Sequence, residues 1–68
     1  MNEEALNMSL RKFLKVVGVT LHQEIEKAIR AALADGRLKG DEKLSAQMVL
    51  TIDQVDLTHK VDGTIELQ

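Results

Sequence analysis

Few side chains in this chain could do chemistry, and they stand apart from one another. His22 precedes Glu26 by four residues, a spacing that places both on one face of a helix and could hold a metal ion. No third ligand stands at a matching spacing, so the pair reads as solvated helix surface. His59 is the one polar residue among Leu57, Val61, Gly63, Ile65 and Leu67. A ligand or proton carrier could occupy such a place, but a lone histidine outside any motif reads as a hydrogen-bonded core or interface group. Ser9 and Ser45 lie in no nucleophile elbow, and the chain has no Cys. Asp53 and Asp56 flank a turn, where Asp is expected for backbone reasons. Gly36 and Gly40 bracket a basic loop but do not lead into the Lys-Ser/Thr helix start of a phosphate site. Arg37, Lys39 and Lys43 could meet an anion, diluted by Asp41 and Glu42. The expectation is therefore no catalytic residue, no bound cofactor, no metal, and no enzyme activity.

Size and composition point the same way. Sixty-eight residues make a single small domain (1–68), usually marginal unless stapled or oligomeric. Disulfide and thiolate staples are excluded by the lack of Cys, and the aromatic content is a single Phe. Apolar residues make up 44% of the chain, too many for disorder. A chain with these properties is a candidate homodimer or subunit. Residues 1–40 hold seven basic and five acidic groups, net +2, and residues 41–68 hold two basic and six acidic, net −4. This asymmetry could orient a partner but reads as ordinary surface. Glu3 and Glu4 stand where a secretory leader would be basic, and no apolar run is long enough to span a membrane. The expected setting is the cytoplasm.

The elements that would carry these residues follow from periodicity. Asn2 is a candidate N-cap, with Glu3 and Glu4 in the favourable first turn. Leu6, Leu10, Phe13, Leu14 and Val17 recur at helical spacing and predict a helix over 3–17. Gly18 reads as its C′ residue, with Val19 touching Leu14 in a Schellman ending. Thr20 and Gln23 form a possible capping box for a second helix over 21–35, striped by Leu21, Ile25, Ala28, Ile29, Ala32 and Leu33. A linker of two residues or so would make the pair an αα-hairpin. Residues 36–43 read as a loop.

From Leu44 the period changes to two. Leu44, Ala46, Met48, Leu50 and Ile52 mark a strand over 44–52; Leu57, His59, Val61, Gly63, Ile65 and Leu67 mark another over 57–67. Pairing Ile52 with Leu57 puts Leu50 opposite His59, Met48 opposite Val61, Ala46 opposite Gly63 and Leu44 opposite Ile65. Both apolar sets then share one face, as a hairpin requires. The dipeptide Asp62-Gly63 favours a two-residue turn, but that turn would put Thr64 beside Val61 and Ile65 beside Lys60, so the long hairpin is preferred. Gly63 could instead mark a bulge. The predicted fold is α+β, two-layer, helix–helix–strand–strand, an αα-hairpin packed on an antiparallel β-hairpin. Its sheet would be completed by dimerisation.

The function class this favours is a small non-enzymatic interaction or accessory protein, possible as a subunit or modulator of a larger complex. Its interface candidates are His59, Lys60, Val61, Ile65 and Leu67, through strand-edge pairing. The alternative is a helix-turn-helix-like nucleic-acid-binding regulator, with Val17-Gly18-Val19-Thr20 as the turn and Arg11, Lys12, Lys15 and Lys27 as contacts. Against it, Leu14 stands where that motif needs a small residue, Glu24 where it needs a branched apolar one, and the carboxylates of Glu24, Glu26, Asp53 and Asp56 would repel phosphates. Membrane binding by the first helix is disfavoured by its acidic start.

The running pattern Asn7-Met8-Ser9, Arg11-Lys12-Phe13-Leu14-Lys15, Val17-Gly18-Val19-Thr20, Glu24-Ile25-Glu26-Lys27-Ala28, Leu38-Lys39-Gly40 and Glu42-Lys43-Leu44, with the Val-Asp-Gly-x-Ile-Glu-Leu segment at 61–67, resembles a family of short bacterial proteins of unknown function. The family more often has Pro at the position of Ser45, which bears on where the first strand starts. The resemblance implies a free-standing bacterial protein and supplies no site residues.

Overall fold

The structure, a computed structural model, describes residues 1–68. The element order is helix α1 (Glu3–Ala34), strand β1 (Lys43–Ile52), a 3₁₀ turn (Asp53–Val55) and strand β2 (Leu57–Glu66). The chain divides into two compact units, Met1–Arg37 and Leu38–Gln68.

The first unit corrects the expectation of two helices. Residues 3–17 and 21–35 are parts of one 32-residue helix, about 48 Å long at 1.5 Å per residue, so no αα-hairpin exists. The Schellman ending at Gly18 and the capping box of Thr20 and Gln23 do not form, because all these residues lie inside the helix. The reason is one of magnitude and phase. A glycine in a helix interior costs only about 1 kcal/mol relative to Ala, too little to stop a helix with several turns on either side. The two apolar stripes are also in phase. Leu6, Val17 and Ala28 repeat every eleven residues, as do Leu10, Leu21 and Ala32. Eleven residues are close to three full turns, so the stripe runs unbroken past Gly18. At about 100° per residue, Gly18 lies along that stripe, between Ile25 and Ile29 in angle, and a Cβ built there meets nothing within 4 Å.

The ends of α1 match their chemistry. Asn2 is extended (φ −101°, ψ 112°), and its Oδ1 accepts the Ala5 N–H at 3.1 Å. This satisfies one of the orphan donors of the first turn, where Glu3 and Glu4 face the positive end of the dipole. At the other end the Asp35 N–H donates to the Ala31 carbonyl, and Gly36 turns the chain with φ +87°, a left-handed backbone that suits glycine.

The second unit follows the predicted register. β1 and β2 pair antiparallel with Leu44 opposite Ile65, Ala46 opposite Gly63, Met48 opposite Val61, Leu50 opposite His59 and Ile52 opposite Leu57. Residues 53–56 close the hairpin: the Asp56 N–H donates to the Asp53 carbonyl at 3.2 Å, and Asp56 is left-handed (φ 51°, ψ 38°), a conformation Asp tolerates better than most residues. Asp62-Gly63 is neither turn nor bulge, since the one-to-one pairing runs straight through it. The Gln47 amide also bonds the Asp62 carboxylate across the strands at 2.9 Å. The strand bounds differ from expectation by one residue at two ends: β1 starts at Lys43, and β2 stops at Glu66.

The backbone at Gly18 supports a direct stability test. Gly18→Ala should raise stability by about 1 kcal/mol, read as a higher midpoint in a circular-dichroism melt. Gly18→Pro should cost about 3 kcal/mol or more, with loss of helical signal. A destabilising alanine would mean that residue 18 ends a helix after all.

Candidate interaction surfaces

Alternation along the hairpin sorts its side chains onto two faces. One carries Leu44, Ala46, Met48, Leu50 and Ile52 from β1 and Leu57, His59, Val61, Gly63 and Ile65 from β2. The opposite face carries Lys43, Ser45, Gln47, Val49, Thr51, Thr58, Lys60, Asp62, Thr64 and Glu66. The apolar face is not closed over. Leu44, Leu50 and Ile65 are half-buried, but Met48, Ile52, Leu57 and Val61 are exposed, Val61 at 56%. Ser45, Gln47, Asp62 and Thr64, with the rung of Ala46 and Gly63 between them, line an open depression of about 420 Å³.

Four of the five interface candidates are thus brought together: His59, Val61 and Ile65 share the apolar face, and Leu67 continues it just past β2. Lys60 is separated from them, pointing to the polar face opposite Val49. His59 is exposed beside Leu50 rather than buried.

The apolar stripe of α1 is graded along its length. Val17, Leu21 and Ile29 are half-buried, and Ala32, at 8% exposure, is the only buried residue of the chain. Leu6, Leu10, Phe13 and Leu14 in the N-terminal half are exposed, Phe13 at 51%. The side away from the stripe carries an ion-pair run: His22 Nε2 lies 2.7 Å from Glu26 Oε1, and Arg30 lies 3.9 Å from the other carboxylate oxygen. All three side chains are well exposed, and no group of three His, Cys, Asp or Glu residues is placed to hold a metal.

The nucleic-acid contacts do not converge. With α1 continuous there is no turn at Val17–Thr20 and no second helix to present to a groove, which removes the geometry that reading needs. Arg11, Lys12 and Lys15 lie within two turns of one another, but Lys27 is about 18 Å further along the axis than Lys15 and a third of a turn round. The remaining candidates are also dispersed. Ser9 is exposed on α1, Ser45 pairs with Thr64 on the polar face of the hairpin, and Asp53 and Asp56 shape the turn.

In the connection between α1 and β1, two carboxylates bond nearby backbone N–H groups. Asp35 receives the Arg37 guanidinium at 2.8 Å and the Arg37 backbone N–H at 3.1 Å. These bonds hold its carboxyl below the ordinary 3.8, the side-chain bond contributing most. Glu42 accepts the backbone N–H groups of Lys39 (2.9 Å) and Gly40 (2.9 Å). They lower its carboxyl from the ordinary 4.5, the Lys39 bond first. In the loop whose Arg37, Lys39 and Lys43 could meet an anion, the backbone amides of Lys39 and Gly40 are occupied by the chain's own Glu42.

The class of protein that emerges is a small helix-plus-ribbon chain with open apolar faces and edges. The chain belongs to a family of unknown function (DUF6494), whose sequence profile matches residues 1–68. No curated protein and no solved structure matches it. No helix is long and apolar enough to cross a membrane.

Both carboxylates give stability a defined pH sense. A folded pKa held below the unfolded one contributes stability above the unfolded pKa, which is lost as pH falls through the folded value. Thermal stability should therefore hold from neutral pH down to the ordinary carboxylate range of 3.8–4.5 and decline below it. At neutral pH, Glu42→Gln should speed amide exchange of Lys39 and Gly40 in NMR while leaving that of the strand centres unchanged. Unaltered exchange at both amides would refute the role given to Glu42.

Proposed function

We propose that this chain is a non-enzymatic interaction protein that works in association, first of all with a second copy of itself. The observation that carries the reading is the uncovered apolar surface. One alanine is buried, while residues as large as Leu6, Phe13, Leu14, Met48 and Val61 remain exposed. Soluble monomers rarely keep so much apolar surface in contact with water.

The scatter of His22, His59, Ser9, Ser45, Asp53 and Asp56 over separate exposed positions supports a role without catalysis. A homodimer is the simplest assembly, because closed twofold symmetry lets one patch cover its equal. A further protein could dock on what the dimer leaves free, in keeping with a subunit or modulator. The proposed setting is the cytoplasm, in keeping with the absence of cysteine.

Sedimentation equilibrium of the purified chain should give twice the chain mass from low micromolar concentrations upward. Met48→Glu, placing a charge in the middle of the apolar face, should raise the dimer dissociation constant at least tenfold. A monomer at every accessible concentration that melts cooperatively would overturn the reading.

A further inference from the structure

The hydrogen-bond phase of the hairpin distinguishes its two outer edges. The Leu67 N–H donates to the Glu42 carbonyl at 3.2 Å, which makes this rung a hydrogen-bonded pair. In an antiparallel ladder such rungs alternate with rungs whose backbone groups point outward. Continuing the phase through the register, the inward pairs are Leu44 with Ile65, Ala46 with Gly63, Met48 with Val61, Leu50 with His59 and Ile52 with Leu57. The outward N–H and C=O groups belong to Lys43, Ser45, Gln47, Val49 and Thr51 on β1, and to Thr58, Lys60, Asp62, Thr64 and Glu66 on β2.

These edges differ in chemistry. An edge meant to stay single is guarded by charge, lysine above all. The β2 edge carries Lys60, Asp62 and Glu66, spread along its length. The β1 edge carries Lys43 at one end and is otherwise uncharged: Leu44–Ile52 contains no charged residue and is rich in Leu, Val, Ile and Thr. Val49, 54% exposed, is also the one large apolar side chain on the polar face.

Resting on the self-association proposed above, we infer that the partner is a second copy joined through β1, antiparallel to its own equivalent about a twofold axis at Gln47. That centre engages every outward group of β1. Gln47 meets Gln47 of the other copy, Ser45 meets Val49, and Lys43 meets Thr51, so no like charges are opposed. The product is a four-stranded sheet in the order β2–β1–β1–β2. The two apolar ribbon faces become one, and only the charged β2 edges remain outside. Such an assembly closes at two copies instead of growing into a fibre. The edge bonds set the register, and Leu44 against Leu50 and Ala46 against Met48 of the other copy bury apolar side chains along the seam.

Val49 and Lys60 lie on the same rung and point their N–H groups to opposite edges, which yields a paired test. Proline at either site spares the bonds between β1 and β2 and deletes one outward donor. Val49→Pro should raise the dimer dissociation constant at least tenfold, and Lys60→Pro should leave it within about twofold, with helical ellipticity retained in both. If Lys60→Pro weakens the dimer as much as Val49→Pro, or neither weakens it, the assignment to β1 fails while self-association stands. A monomeric wild-type chain defeats both proposals. A second measurement is independent of proline. The chain has no cysteine, so Gln47→Cys carries a single nitroxide, and α-carbons about 5.5 Å apart at the twofold require strong dipolar broadening in the dimer. A dimer with an unbroadened spectrum overturns the inference.

Discussion

Apolar side chains that lie along lines, and do not converge on a centre, are the constraint on which this protein turns. The helix arranges them as one stripe from Leu6 to Ala32, and the ribbon arranges them as one face from Leu44 to Leu67. A line of leucines can be covered only by another extended surface, and burial is the main favourable term in folding. Backbone hydrogen bonds shape both elements but contribute modestly on balance, because water competes for the same groups. The free energy that holds the chain in place must therefore come from whatever lies against these two faces.

The ribbon was legible from its residues because three independent signals agree there. Alternation identified the strands, Asp at 53 and 56 identified the turn, and the requirement that His59, Val61 and Ile65 share a side with Leu50, Met48 and Leu44 selected one register. That requirement outweighed the strong local preference of Asp62-Gly63 for a tight turn, as a whole face outweighs a dipeptide. The helix was misread at Gly18 for the converse reason. Val19, Thr20 and Gln23 each resemble punctuation, but local signals worth about a kilocalorie are weaker than a pattern spanning both halves. The eleven-residue recurrence of Leu6, Val17 and Ala28 was present throughout and would have settled the question.

The candidate surface was less legible. Its apolar membership could be read from the strand pattern, but Lys60 was grouped with residues that point the other way. Exposure could not be read at all, since periodicity reports which side chains face together and is silent on what lies opposite. The division of backbone groups between inside and edge also lies beyond residue types: it depends on the phase of the ladder, which one bond at Leu67 supplies. The basic residues proposed for nucleic acid illustrate the same gap, because a patch depends on where the axis carries each charge.

The hairpin joins adjacent stretches through four residues, and the helix needs only neighbours within a turn. Neither element waits for distant parts of the polypeptide to find each other. Helices of this size equilibrate in about a microsecond and hairpins in up to ten. Secondary structure can thus form before any encounter, and in the self-association proposed above the slow event would be bimolecular. Under that proposal, how much of the protein is finished at any moment would depend on how many copies surround it, and cellular abundance would itself help determine its folded state.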